Sequence, residues 1–222
     1  MTEDVFKQKL QHISQLTVSE RWDLLREADP MYLTREVFDV LVNQLEDQDD
    51  HVRFFALHQL IDRFPKQLTT PSDALVDRMI GLLKDESHPV VDRVPWALSI
   101  MGEKGFMRLL ERSDTNEVRL KRMIVWAIGK NANLHLAPER SINFLLECLG
   151  HADEETRYLA MSALVEISPL KNYSPYGLKS YDFTPVYHQL KPVAEYFVSK
   201  DDHNTEFAER YLRLINMALK NA

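Results

Sequence analysis

The sequence predicts an all-α chain, a stack of about six antiparallel helix pairs of the α-solenoid kind. Three observations carry that expectation. Apolar residues recur at steps of three and four along nearly all of the 222 residues, without the strict alternation of a half-buried strand. Turn signals interrupt the pattern at regular intervals. Glycine is scarce, at 6 residues, too few for a fold built on tight β-turns.

Read in order, the pattern predicts helices over 3–14, 18–28, 34–46, 50–64, 72–84, 89–102, 104–112, 116–130, 138–149, 153–167, 185–199 and 204–220. Several starts have a local cause. Thr184-Pro185 sets a capping hydroxyl before a proline whose missing N–H costs nothing in the first turn. Ala137-Pro138 and Thr70-Pro71 are weaker versions, and Asp50 and Asp153 place a carboxylate at a helix N-terminus. Pro95 and Pro192 fall inside helical patterns and are expected to kink or restart them. The connections are short, so consecutive helices should pack antiparallel.

Internal repeats are visible. Val52-Arg53-Phe54-Phe55-Ala56-Leu57, Thr156-Arg157-Tyr158-Leu159-Ala160-Met161 and Leu120-Lys121-Arg122-Met123-Ile124-Val125 share an apolar-or-Thr residue, a basic residue and a following apolar run. A fourth copy, Arg93-Val94-Pro95-Trp96-Ala97-Leu98, lacks the basic residue. An acidic turn precedes each copy, at 46–50, 84–86, 113–114 and 152–155, and a Leu-rich helix precedes each turn. Alignment on Arg53, Val94, Lys121 and Arg157 gives uneven intervals of 41, 27 and 36 residues. A pair of ~35 residues cannot bury its own apolar face, so neighbours must stack into one continuous core. The basic residue after each turn can reach the acidic turn and nearby carbonyls, which makes Arg53 and Arg157 structural.

An acidic turn, then Val-Arg, a small residue and Ala-Leu-Gly resembles HEAT-like repeats, including the short type found in phycobilin lyases. The resemblance covers residues 34–168, with 1–33 and 169–222 as degenerate capping pairs of a single domain. It implies a right-handed superhelix with first helices outside and second helices lining a concave face.

Composition narrows the function. The net charge of −7 comes from residues 1–50, with 12 acidic and 5 basic side chains, while 104–130 carries seven Lys or Arg against three acids. An overall acidic chain argues against nucleic acid. No 18-residue apolar run is present, which argues against a membrane span, and the acidic start is unlike a signal peptide. One cysteine, Cys148, excludes a disulfide framework and fits a reducing, cytoplasmic location. It lies in an apolar helical run and reads as a buried thiol.

Catalytic and metal signals are missing. No G-x-x-x-x-G-K-[ST], G-x-S-x-G, H-E-x-x-H or C-x-x-C occurs. His58 and Asp62 have ligand-like spacing, but His51 lies two turns from His58, and the acidic run 46–50 lacks the glycine and terminal glutamate of a calcium loop. No catalytic residue, metal or cofactor is therefore assigned.

The expected partner is another protein. Counting from the aligned basic position, residues two before, one after, five after and nine after share a helix stripe. It reads His51, Phe54, His58, Asp62; Asp92, Pro95, Ser99, Glu103; Arg119, Arg122, Trp126, Lys130; and Glu155, Tyr158, Ser162, Glu166. Phe54, His58, Arg119, Arg122, Trp126 and Tyr158 are the candidate partner contacts, because arginines and aromatics on a polar stripe are the composition of binding hot spots. A proline- and tyrosine-rich stretch at 169–183 adds Tyr173, Tyr176 and Tyr181 as secondary loop contacts. The leading expectation is a non-catalytic protein-binding scaffold or adaptor that uses the concave face of the solenoid, where these contacts are expected to lie. The resemblance also implies an alternative, a lyase-like protein that handles a bilin or heme. A solenoid DNA glycosylase, built on Asp92, Trp96 and Trp126, is a third reading that the acidic charge disfavours.

Overall fold

The computed structural model describes residues 2–26, 34–170 and 177–221, and its regular structure among these is entirely helical. Thirteen α-helices are described: α1 (Glu3–Gln11), α2 (Val18–Arg26), α3 (Arg35–Gln44), α4 (Asp50–Arg63), α5 (Pro65–Leu68), α6 (Asp73–Gly81), α7 (His88–Ile100), α8 (Gly102–Glu111), α9 (Val118–Gly129), α10 (Pro138–Cys148), α11 (Glu154–Ile167), α12 (Thr184–Ser199) and α13 (Thr205–Asn221). Twelve match the predicted helices. The single turn α5 was not anticipated, because Pro65 opens it directly behind the end of α4. Pro95 and Pro192 lie inside α7 and α12, and neither restarts its helix.

The chain divides into two compact units, Met1–Gly105 and Phe106–Ala222, with the division inside α8. In the first unit α2, α4 and α7 pack on one another in succession, while α1, α3 and α6 pack on α2, α4 and α7. In the second, α9 packs on α11, α10 on both, and α12 on α11 and α13. Packing between sequence neighbours is what stacked helix pairs require. The cores follow the predicted period: Val52, Ala56, Leu57 and Leu60 of α4 are fully buried, as are Ile124, Val125 and Ile128 of α9 and Ala160, Met161 and Leu164 of α11.

Helix starts are fixed by side chains that accept an otherwise unpaired amide. Asp49 accepts from the Val52 amide at 3.1 Å, Ser72 from Leu75 at 3.2 Å and Asp153 from Thr156 at 2.9 Å. Thr17 and Glu20 form a reciprocal capping box at the head of α2. At the far end of α7, Gly102 takes φ +63°, a backbone geometry open to glycine, and turns the chain into α8.

These caps correct the repeat register. Arg53, Lys121 and Arg157 each stand four residues after the N-cap, and so does Arg21 after Thr17. The N-cap of α7 is Ser87, so its equivalent position is Val91 rather than Val94. The apolar run Val90-Val91-Asp92-Arg93-Val94 looks alike when slid by about one turn, which is why periodicity alone misplaced it.

The acidic turns do tie layer to layer. Arg53 donates Nε and Nη2 to the two oxygens of Asp85 at 2.6 and 2.8 Å, and Nη1 to the carbonyls of Asp47 and Gln48. Arg21 does the same more loosely, to Asp47 at 3.2 Å and the Leu16 carbonyl. In α9 the tie is made by Arg122, one residue past Lys121, which grips both oxygens of Asp153. Arg157 is bound differently, although Asp201-Asp202 precede α13. It caps the His151 carbonyl and lies 5.1 Å from the ring of Tyr196.

Candidate binding faces

Each second helix turns one side to the core and leaves the stripe one, five and nine residues after the aligned position outside it. In the first unit the corrected register puts Trp22, Phe54 and Asp92 at the first of these positions, and Arg26, His58 and Trp96 at the second. Trp96, which the earlier alignment left off the stripe, is 53% exposed. Ser87 followed by His88-Pro89 is the sequence signal that would have found it, since serine before a first-turn proline marks an N-cap.

Ring contacts link these residues across three helices. The His51 imidazole stacks on Trp22 with centroids 4.6 Å apart, and His58 stacks on Phe54 at 5.9 Å. Arg93 of α7 holds its guanidinium 5.9 Å from the Phe54 ring and 5.7 Å from the Trp96 ring. The Trp22 indole N–H donates to Asp49 at 2.9 Å, so the cap of α4 also aims the ring. Carboxylates flank the rings: Asp50 lies 3.0 Å from His51 Nδ1, and Asp62 lies 3.3 Å from His58 Nε2. Asp49, Asp50 and His51 bring three possible ligand atoms within 4.8 Å of one another, but Asp49 is already committed to Trp22 and the Val52 amide. Its geometry is that of a cap.

The second unit is different. Arg119 is exposed in the first turn of α9, whereas Arg122 is engaged by Asp153. That pairing holds the Asp153 carboxyl far below the ordinary carboxylate range, with the Thr156 hydroxyl and amide adding to the effect, and raises the Arg122 guanidinium. Arg122 thus ties one layer to the next. Tyr158 leans edge-on against Phe197 at 5.3 Å, and burial pushes its phenol up to about 12. Trp126 is half-buried, with Lys130 Nζ 5.6 Å from its ring. Beside them a cavity of about 260 Å³ opens between α9 and α11 and reaches Tyr211 of α13.

Of the loop tyrosines, Tyr173 and Tyr176 lie outside the described residues. Tyr181 donates to Glu139 Oε2 at 3.2 Å and packs edge-on against Phe183, which ties it to α10 and α12. Burial and the Glu139 bond raise its phenol. Cys148 is buried, and loss of hydration pushes its thiol up to about 11, the opposite of an activated nucleophile. No helix among the described residues is long and apolar enough to cross a membrane.

No protein-family model matches the chain, and no curated protein matches it. Similar solved structures are helical proteins of low identity. An engineered protein from the Northeast Structural Genomics Consortium is 15% identical with a TM-score of 0.46, covering 97% of this chain and 98% of its own. A designed armadillo repeat protein is 14% identical with a TM-score of 0.44, over 94% and 98%. The archaeal HEAT-like repeats protein of Thermococcus onnurineus NA1 is 13% identical with a TM-score of 0.35, over 92% and 98%.

Proposed function

We propose that this all-helical stack of repeat pairs is a non-catalytic scaffold that binds a protein segment along the outer stripes of its second helices. The observation that carries this reading is Trp96. A tryptophan 53% exposed, braced by Arg93 against Phe54 and continued by His58, is a large apolar surface held in one geometry at little further entropic cost. Phe54, His58 and Trp96 form the contact set of the first unit, and Arg119, Trp126 and Tyr158 that of the second. Arg53 and Arg122 act beneath them by fixing the helices that present the rings.

The test is site-specific photocrosslinking from position 96, with position 74 on α6 as a control on the first-helix side. Crosslinks from 96 and not 74 should identify one partner. Trp96→Ala should then weaken that partner at least tenfold, about 1.4 kcal/mol, with little change in Tm. Crosslinks from 74 alone, or unchanged affinity for Trp96→Ala, would overturn the assignment.

A further inference from the structure

The cavity of the second unit has a built interior. Its floor is the closest approach of α9 and α11: a Cβ added to Gly129 would stand 2.7 Å from the Cβ of Ala163 and 3.0 Å from its Cα. The missing side chain lets the helices touch there, and Gly129 and Ala163 both line the cavity. Trp126 forms one wall, and Ser162, too small to fill the space, stands on α11. The hollow is not a general feature of the repeat, since the residue of α4 equivalent to Gly129 by distance from the N-cap is Ile61, a buried core side chain.

Three properties define what fits. At about 260 Å³ the space is below the ~300–1,000 Å³ of sites for drug-sized ligands, the scale of one side chain. Its apolar surfaces are the Trp126 indole, Leu159, Ala163 and Gly129, which suit a flat ring. At one end the Ser162 and Tyr211 hydroxyls lie 3.1 Å apart. Their mutual bond uses one O–H, so the pair can serve a third polar group. Lys130, whose Nζ sits 5.6 Å from the Trp126 ring, and Glu166 put one charge of each sign in the lining, so the cavity carries no net charge to draw in an ion. A ring with a neutral polar tip satisfies all three conditions.

We propose that this cavity is a socket for a tyrosine side chain presented by a protein segment, its ring against Trp126 and its hydroxyl joining the Ser162–Tyr211 pair. The segment rests on the scaffold reading above; the socket's preference for a phenol can be tested without any partner. The chain has 3 tryptophans, so 5-fluorotryptophan labelling gives Trp22, Trp96 and Trp126 as separate fluorine resonances, assigned by single Trp→Phe variants. Titration with N-acetyl-L-tyrosinamide should shift the Trp126 resonance saturably, with a Kd on the order of 1 mM for a group of this size. N-acetyl-L-phenylalaninamide should bind roughly fivefold more weakly, since it lacks one hydrogen bond. Ser162→Ala keeps the space and removes half of the hydroxyl pair, so it should narrow the gap between the two probes. Equal affinity of both probes for the unmodified protein, equal shifts at all three tryptophans, or no shift would each overturn the socket. A saturable Trp126 shift with no partner captured from position 96 would count against the scaffold reading and leave the phenol site standing. A captured partner with no Trp126 shift would do the reverse.

Discussion

The two units cross their second helices in different ways. In α4 of the first unit Ile61 is 6% exposed, and the outer stripe is a run of rings and imidazoles braced by Arg93. Where α9 meets α11 in the second, Gly129 and Ala163 bring the backbones together, the stripe carries opposite charges, and a cavity remains. The ties also differ. Arg53 and Asp85 are 15% and 6% exposed, against 35% and 19% for Arg122 and Asp153. One repeat pattern therefore supports two surfaces. The core positions are aliphatic in both, and they differ twelve residues after the N-cap, where α4 has Ile61 and α9 has Gly129.

Exchanging those residues should break the comparison most strongly. Ile61→Gly removes a buried side chain and places glycine inside a helix, for an expected loss of about 4 kcal/mol. Gly129→Ile forces a branched side chain against Ala163 and should cost about 3 kcal/mol. Urea unfolding of both variants measures this. A Gly129→Ile protein as stable as the parent would mean that the close approach of α9 and α11 is not required.

The ties come next. Arg53→Ala leaves Asp85 nearly buried without its cation, and we expect a loss of about 3 kcal/mol. Arg122→Ala acts on a more exposed pair, where solvent screens the interaction, and should cost only about 1 kcal/mol. Partner affinity of the still-folded Arg53→Ala protein should hold. If the two variants lose equal stability, burial is not what distinguishes the ties.

Acid should sharpen the same contrast. Asp153 has a folded-state pKa depressed below its unfolded value of about 3.9, so the folded chain binds fewer protons through that range. Its contribution is fully present above about pH 5 and is lost as pH falls through about 4 towards the lower folded value. The stability difference between the parent and Arg122→Met should accordingly stay constant above about pH 5 and shrink below about pH 4. A difference that grows on acidification would reverse the assignment.

The smallest expected signal is chemical. With its thiol pushed up to about 11 and buried, Cys148 should resist a disulfide reagent at pH 8 in the folded protein. Gly129→Ile, by separating α9 from α11 beside α10, should speed that labelling. Prompt labelling of the parent protein would show that the thiol is open.

Much of this was legible in the sequence because it depends on neighbours within a turn or two. Asp153 caps the helix that follows it as read, the carboxylate that caps α4 is Asp49 rather than the Asp50 read at its start, and the aliphatic period marks Val52, Ala56 and Leu60 as core. Arg53 was readable as structural from the acidic turn alone. That Arg122 makes the tie of α9 was not readable, because the tying arginine shifts by one residue there and the basic pair Lys121-Arg122 offers no local reason to choose. Trp96 was missed because a slide of about one turn leaves an apolar pattern almost unchanged.

The sequence by itself determined the all-α class, the rough extent of the helices and the buried stripe, since the 3.6-residue period acts through faces local to each helix. The N-cap positions expected at Thr184 and Thr70 fall instead at Phe183 and Ser72. Only the tertiary structure decided which arginine meets which carboxylate, that Arg93 would brace Phe54 and Trp96, and that Gly129 would leave a hollow beside Trp126. Those outcomes depend on Arg53 meeting Asp85, Arg122 meeting Asp153, Arg93 meeting Phe54 and Gly129 meeting Ala163, pairs more than thirty positions apart. Their distances depend on how two helices cross, and that crossing is set by the volumes of side chains on both helices at once.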